Sequence, residues 1–199
     1  MTLLNINAHM IRGTLLTYLF AYTLAKVHIW EPKSLKNIYA HTEFTYTLMD
    51  FGSVPYGHSI YGTVFKASPY EACSELAPLP WDRNYGTLIV LVTRGGCNFA
   101  EKVLNAQKIG AGFVLIADNT EEDVHRIFPI ERTKEMLDRV RIPAVLISKQ
   151  EAENILKALS TPAESGHPSR VELAIHFDLT KSHSKSHMRS IIAADDYRC

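Results

Sequence analysis

The chain has 199 residues, 46% of them apolar, which is enough for one substantial core and too little for two. Its 21 basic and 21 acidic side chains cancel, so no net charge field supports binding to nucleic acid or to an anionic membrane surface. Any partner has to be recognised by a local site.

Arg12 precedes Gly13–Ala25, an apolar stretch of signal-peptide length with Ala25 at a plausible cleavage position. The run is too short to cross a bilayer comfortably. A cleaved signal over residues 1–25 is the expectation, with a buried N-terminal strand or a retained signal anchor as the alternatives. Only a retained anchor would bring this chain into contact with a membrane. A single domain is then expected over residues 26–179. Val27–Trp30 and Phe44–Thr47 read as short strands, and Ile60–Lys66 as a third, bounded by Gly57 and Pro69. Pro78–Asn84 is a rigid polar loop.

Gly86–Asn119 is the least ambiguous stretch. Leu88–Val92 is apolar throughout, as a strand covered on both faces should be, and Gly95-Gly96 permit a sharp turn with φ > 0. A helix follows. Asn98 is placed to cap it and Glu101 to complete the reciprocal box, while Phe99, Val103 and Ala106 share one face. Gly110 ends the helix and Phe113–Ala117 is a second apolar strand, so the unit predicts a parallel pair with a right-handed crossover.

Asn119–Arg141 is a long segment of mixed charge, with a helical turn expected over Arg132–Leu137. Ala144–Ile147 reads as a strand, and Ser148 with Glu151 forms a second capping box opening a helix through Leu159. Thr161–Ser169 is a Pro/Ser/Gly linker. Val171–Leu179 alternates apolar and polar side chains, as a half-exposed strand does. Residues 180–199 carry no apolar period and read as a disordered tail, or as the start of a further cysteine-rich region.

The central stretch resembles the protease-associated domain, a non-catalytic module, and most of all the luminal one of vacuolar sorting receptors. The likeness lies in Arg94-Gly95-Gly96-Cys97-Asn98-Phe99, in Asn105–Ala111 and in Ala117-Asp118-Asn119. It extends to Phe51-Gly52, Tyr56-Gly57, Gly62 and Ala72-Cys73 upstream and to Ile142-Pro143-Ala144 downstream. His58 stands where those receptors tend to have a second glycine, Pro55 is displaced by one position, and Thr93 and Gly96 replace acidic residues. The resemblance implies an α/β fold: a strand-rich sandwich or open barrel flanked by two main helices and containing the βαβ unit. It also implies a disulfide between Cys73 and Cys97; two reduced, buried thiols are the alternative. Cys199 is left over.

The turn after Val92 is the candidate site. Successive N–H groups in a glycine turn that opens a helix converge on one point, where the helix dipole favours a carboxylate or carbonyl. Arg94 beside it offers a planar fork of donors. By resemblance, Arg94, Gly95 and Gly96 bind a peptide, with backbone from the Cys73 loop as the opposite wall, and truncating Arg94 is expected to spare the fold. In the structural alternative Arg94 only caps a neighbouring carbonyl.

No catalytic constellation is legible. Asp50-Phe51-Gly52 copies a kinase tripeptide without the rest of the kinase set, and the glycine turn lacks a dinucleotide fingerprint and a Walker lysine. His183 and His187 fall in a polar tail without helix formers, and no metal site, cofactor or hydrolase elbow is expected. The sequence therefore predicts a non-enzymatic binding module for a peptide segment of a client or cargo protein, in the secretory-pathway lumen or outside the cell. The alternatives are an accessory domain of a secreted protease, the luminal part of a membrane-anchored RING ubiquitin ligase, and a secreted structural domain.

Overall fold

A computed structural model describes residues 25–40, 44–126, 134–161 and 170–177. The expected signal apart from Ala25, most of the Thr161–Ser169 linker, His183, His187 and Cys199 lie outside the described residues.

Seven strands form one mixed sheet: β1 (Ala25–Glu31), β2 (Tyr46–Leu48), β3 (Ser59–Lys66), β4 (Thr87–Thr93), β5 (Phe113–Ala117), β6 (Ala144–Ile147) and β7 (Val171–Phe177). Their order across the sheet is β1-β7-β3-β4-β5-β6-β2. β3 through β6 run parallel, and β1, β7 and β2 add antiparallel pairs at the flanks. Among the described residues there is one sheet, so the open form of the expected architecture is the one realised.

The chain between β4 and β5 is α2 (Phe99–Lys108), and α4 (Lys149–Ser160) follows β6. Two shorter helices are α1 (Lys33–Ile38) and α3 (Lys134–Leu137). The central strands are buried on both faces, which is why they read as continuous apolar runs. Leu88, Val90, Val92, Val114, Ile116 and Leu146 pack on one face with Ala100, Val103 and Ala106 of α2. Ile89, Leu91, Phe113, Leu115, Val145 and Ile147 pack on the other with Ala152 and Ile155 of α4. Each such side chain contributes roughly 1.5–3 kcal/mol by leaving water.

Two expected caps turn out differently. Ser148 accepts a hydrogen bond from the Glu151 amide at 3.3 Å, as a capping box requires. The Glu151 carboxylate, however, accepts from the Ser148 hydroxyl and from the Thr45 amide, so it ties α4 to the lead-in of β2 instead of closing the box on its own backbone. Asn98 has the extended backbone of an N-cap (φ −66°, ψ 152°), yet its side chain makes no capping bond. The start of α2 is fixed covalently at Cys97, one residue earlier. The sequence reading also missed α1, because KSLKNI buries only Leu35 and shows no apolar stripe. Of the turn expected over Arg132–Leu137, Lys134–Leu137 is helical, and Arg132 and Thr133 lie outside the described residues.

Candidate ligand-binding turn

The candidate turn sits at the carboxyl end of β4, between two loops that are fastened to it. On one side the Thr93 amide donates to the Tyr70 carbonyl at 3.0 Å; on the other the Arg94 amide donates to the Ala117 carbonyl at 2.8 Å. Gly95 (φ +101°) and Gly96 (φ +81°) then take the chain back toward α2 through left-handed conformations that side chains disfavour.

Cys73 and Cys97 form the implied disulfide, with their Cα atoms 5.6 Å apart. It closes a loop between residues separated by 24 positions, which the chain-entropy account values at about 3 kcal/mol. A methyl group on Gly96 would lie 2.9 Å from Cys73 Sγ, so the turn and the bridge are in close contact. Gly96→Ala is therefore expected to lower stability by roughly 1–3 kcal/mol through strain at positive φ plus that overlap. Gly95→Ala meets no atom nearer than Asn119 Nδ2 at 3.7 Å and carries the conformational strain alone. Urea denaturation of the two variants checks the order.

Arg94 is where the turn reading placed it, with a partner that reading did not assign. Its Nη1 donates to Asp118 Oδ1 at 2.9 Å and lies 3.9 Å from Glu122 Oε2. The Arg94 side chain is 29% exposed, while the Asp118 side chain is fully buried. Asp118 also accepts from the Asn119 amide at 2.8 Å, the Thr120 amide at 3.4 Å and the Thr120 hydroxyl at 3.1 Å. It organises the loop leaving β5, and Arg94 neutralises it. Truncating Arg94 is therefore expected to cost stability, contrary to the reading from sequence, because its removal strips a buried carboxylate of its only charged partner at hydrogen-bond distance among the described residues.

Two further residues shape the turn. Lys102 is completely buried; its ammonium donates to the carbonyls of Glu71 and Gly95 and stands 3.3 Å from Cys73 Sγ. Asn105, also buried, donates from Nδ2 to the Ala72 carbonyl at 3.0 Å. One helix turn thus holds the Cys73 loop and the glycine turn at once. Burial pulls the Lys102 ammonium below its usual range, and the Glu71 and Glu101 carboxylates oppose that shift. The signal was present in the sequence, since Lys102 and Asn105 lie three apart on the flank of the apolar stripe. A lysine on a helix is ordinarily read as solvated.

The expected kinase-like tripeptide is a turn. Asp50 is exposed and Phe51 is in the core. Gly52 (φ +81°) lies so close to Ile142 that a methyl group would come within 2.2 Å of its carbonyl oxygen. Among the described residues there is no group of three or more His, Cys, Asp or Glu side chains arranged to hold a metal, and no helix long and apolar enough to cross a membrane. The disulfide fits an oxidising compartment.

Residues 60–155 match the family model of the PA domain. Vacuolar-sorting receptor 3 of Arabidopsis thaliana is 35% identical over 119 residues, covering 56% of this chain and 19% of the receptor. The human E3 ubiquitin-protein ligase RNF13 is 36% identical over 107 residues, covering 53% of this chain and 27% of the ligase. Among solved structures, the aminopeptidase from Aneurinibacillus sp. strain AM-1 aligns with 79% of this chain and 31% of its own, at 18% identity and a TM-score of 0.46. The chain spans only about a fifth to a quarter of the length of these curated relatives. The match to the family model takes in β4, α2, β5 and the Arg94–Cys97 turn between them, and the chain accordingly carries a PA domain.

Proposed function

We propose that this chain is a non-catalytic module that binds a peptide segment of a client or cargo protein at the turn formed by Arg94, Gly95 and Gly96. The observation that carries the reading is the setting of Arg94. A guanidinium held by a buried carboxylate stands beside two exposed glycines at the entrance to α2, where an extended peptide can approach backbone closely. A fork of five N–H donors has only one nitrogen committed to Asp118 in the bonds described, and the helix N-terminus adds positive potential. The ligand this suits is a peptide carbonyl or free carboxylate, with the Cys73 loop as opposite wall. The chain works in the secretory-pathway lumen or outside the cell, in line with the disulfide and with its sequence relatives among vacuolar-sorting receptors.

The 36% identity to an E3 ubiquitin-protein ligase supports a second setting for the same module, as the client-facing part of a membrane-anchored ligase. The binding chemistry is common to both. Sequencing the transcript beyond codon 199 separates them: a transmembrane segment followed by a Cys/His zinc pattern favours the ligase.

Arg94→Lys is the cleaner test of the site, because an ammonium keeps a charge beside Asp118 but lacks the two-pronged geometry. A charge-assisted hydrogen bond is worth about 1.5–3 kcal/mol, so affinity should fall roughly tenfold or more. Calorimetry with a panel of short peptides, each with a free and an amidated C-terminus, reads this. Equal affinity of wild type and Arg94→Lys for every peptide that binds would move the site elsewhere.

A further inference from the structure

Lys102 is the only fully buried cation among the described residues, and it is placed against the electrostatic grain. It lies early in α2, where the helix dipole opposes positive charge, yet its ammonium is 3.3 Å from Cys73 Sγ. Against a disulfide sulfur that contact is weak. Against a thiolate it becomes a contact ion pair, the arrangement that makes a cysteine a good leaving group and a stable anion. Cys97 immediately precedes the N-cap of α2, so the positive potential at the helix start also favours a thiolate at that position, though without a paired cation among the described residues. Burial works against the charge on Lys102, and the Glu71 and Glu101 carboxylates offset part of that effect. A disulfide whose reduced form is stabilised is the more easily reduced.

We propose that Cys73–Cys97 is a thiol–disulfide exchange site for a dithiol reductant, with Cys97 the sulfur attacked and Cys73 the leaving group held by Lys102. The attacking thiolate forms a bond to Cys97 Sγ, and the Cys73–Cys97 bond breaks with its electron pair going to Cys73 Sγ beside the Lys102 ammonium. The second thiol of the reductant, as its thiolate, then attacks its own sulfur in the mixed disulfide and releases Cys97 as a thiolate, which takes a proton from water. The dithiol is oxidised by two electrons and the bridge is reduced by two. Attack falls on Cys97 because the Cys73 thiolate that departs is then 3.3 Å from the Lys102 ammonium, whereas attack at Cys73 would expel Cys97 without that partner. Reduction removes the covalent tie between the glycine turn and the Cys73 loop and leaves them joined only by hydrogen bonds, among them those from Lys102 and Asn105. Resting on the peptide-binding reading, the exchange therefore switches the ligand site off.

The test uses the full chain carrying Cys199→Ser, so that only two thiols report. In the fully reduced protein at pH 6.5, iodoacetamide is expected to modify Cys73 at least tenfold faster than Cys97, and tenfold faster than Cys73 in urea. Brief exposure of the oxidised protein to glutathione, quenched with acid, should place the mixed disulfide on Cys97. In Lys102→Gln the equilibrium with dithiothreitol should shift about tenfold toward the disulfide, about 30 mV for a two-electron couple. Glutathione found on Cys73, or a Cys73 thiol no more reactive than in the unfolded chain, overturns the proposal. Both readouts need only the wild-type lysine, so they decide even if Lys102→Gln fails to fold. They are made without peptide and stand or fall apart from binding at Arg94; the switch itself is read as a tenfold or larger loss of peptide affinity on reduction, and unchanged affinity removes it.

Discussion

Phe113→Ala should lower the unfolding free energy by about 3–5 kcal/mol. Phe113 is completely buried at the start of β5, opposite Ile89 in the parallel ladder. Its ring packs at a tilt against Phe177 of β7, with centroids 6.2 Å apart. The side chain thus bridges the middle of the sheet to the strand that joins its antiparallel flank. Its ladder partner Ile89 and its chain neighbour Val114 are held in place by strand pairing, which limits collapse into the space. Truncation removes the transfer energy of a phenyl ring and leaves a cavity. In a domain of this size the melting temperature should drop on the order of 10 °C. A loss below about 1 kcal/mol in urea titration would mean that this face of the sheet is not the packed core described.

The ion pair at the candidate turn leads to the second large effect. Arg94→Ala removes the charged partner of a fully buried carboxylate, a change that costs about 3–5 kcal/mol where nothing else compensates. Asp118 keeps three hydrogen bonds from residues 119 and 120, so a cost of roughly 2–4 kcal/mol is expected. Asp118→Ala alone should cost less for the pair itself, since the arginine left behind is part-exposed and retains water, though it also loses the bonds that shape the loop. The double variant should be more stable than the sum of the single losses by at least about 1 kcal/mol. Additive losses in the three denaturation curves would show that the two side chains do not stabilise each other. The same cycle separates fold from function: peptide affinity lost in Arg94→Ala beyond what unfolding explains belongs to the ligand.

The parallel core was legible because β4, β5 and β6 are buried on both faces, and a strand with no solvent side leaves an unbroken apolar run in the sequence. The glycine turn was legible for a similar reason, as Gly95 and Gly96 both need φ > 0 and few residues accept it. The polar fastenings were not. Lys102 and Asn105 are buried by loops from elsewhere in the chain, and Asp118 by a guanidinium 24 residues earlier, so their environment depends on tertiary closure. The Asn98 cap failed on the same ground: a covalent tether at Cys97 already sets where α2 begins. α1 escaped notice because a six-residue helix with one buried side chain has no period to read. Residue types announced the turn itself, whereas what holds it rigid emerged only from contacts distant in sequence.

The pairing of β1 with β7 brings Ala25 directly opposite Phe177 in an antiparallel ladder. The first and last described residues of the sheet therefore lie about 5 Å apart across neighbouring strands. A unit whose ends meet in this way can be carried in a loop of a host protein, because entry and exit leave the host backbone almost where it was. It can equally be re-cut. A short bridge from residue 177 to residue 25 should give a circular permutant whose new ends, opened in an exposed loop such as the one around Asp82, leave every strand of the core intact.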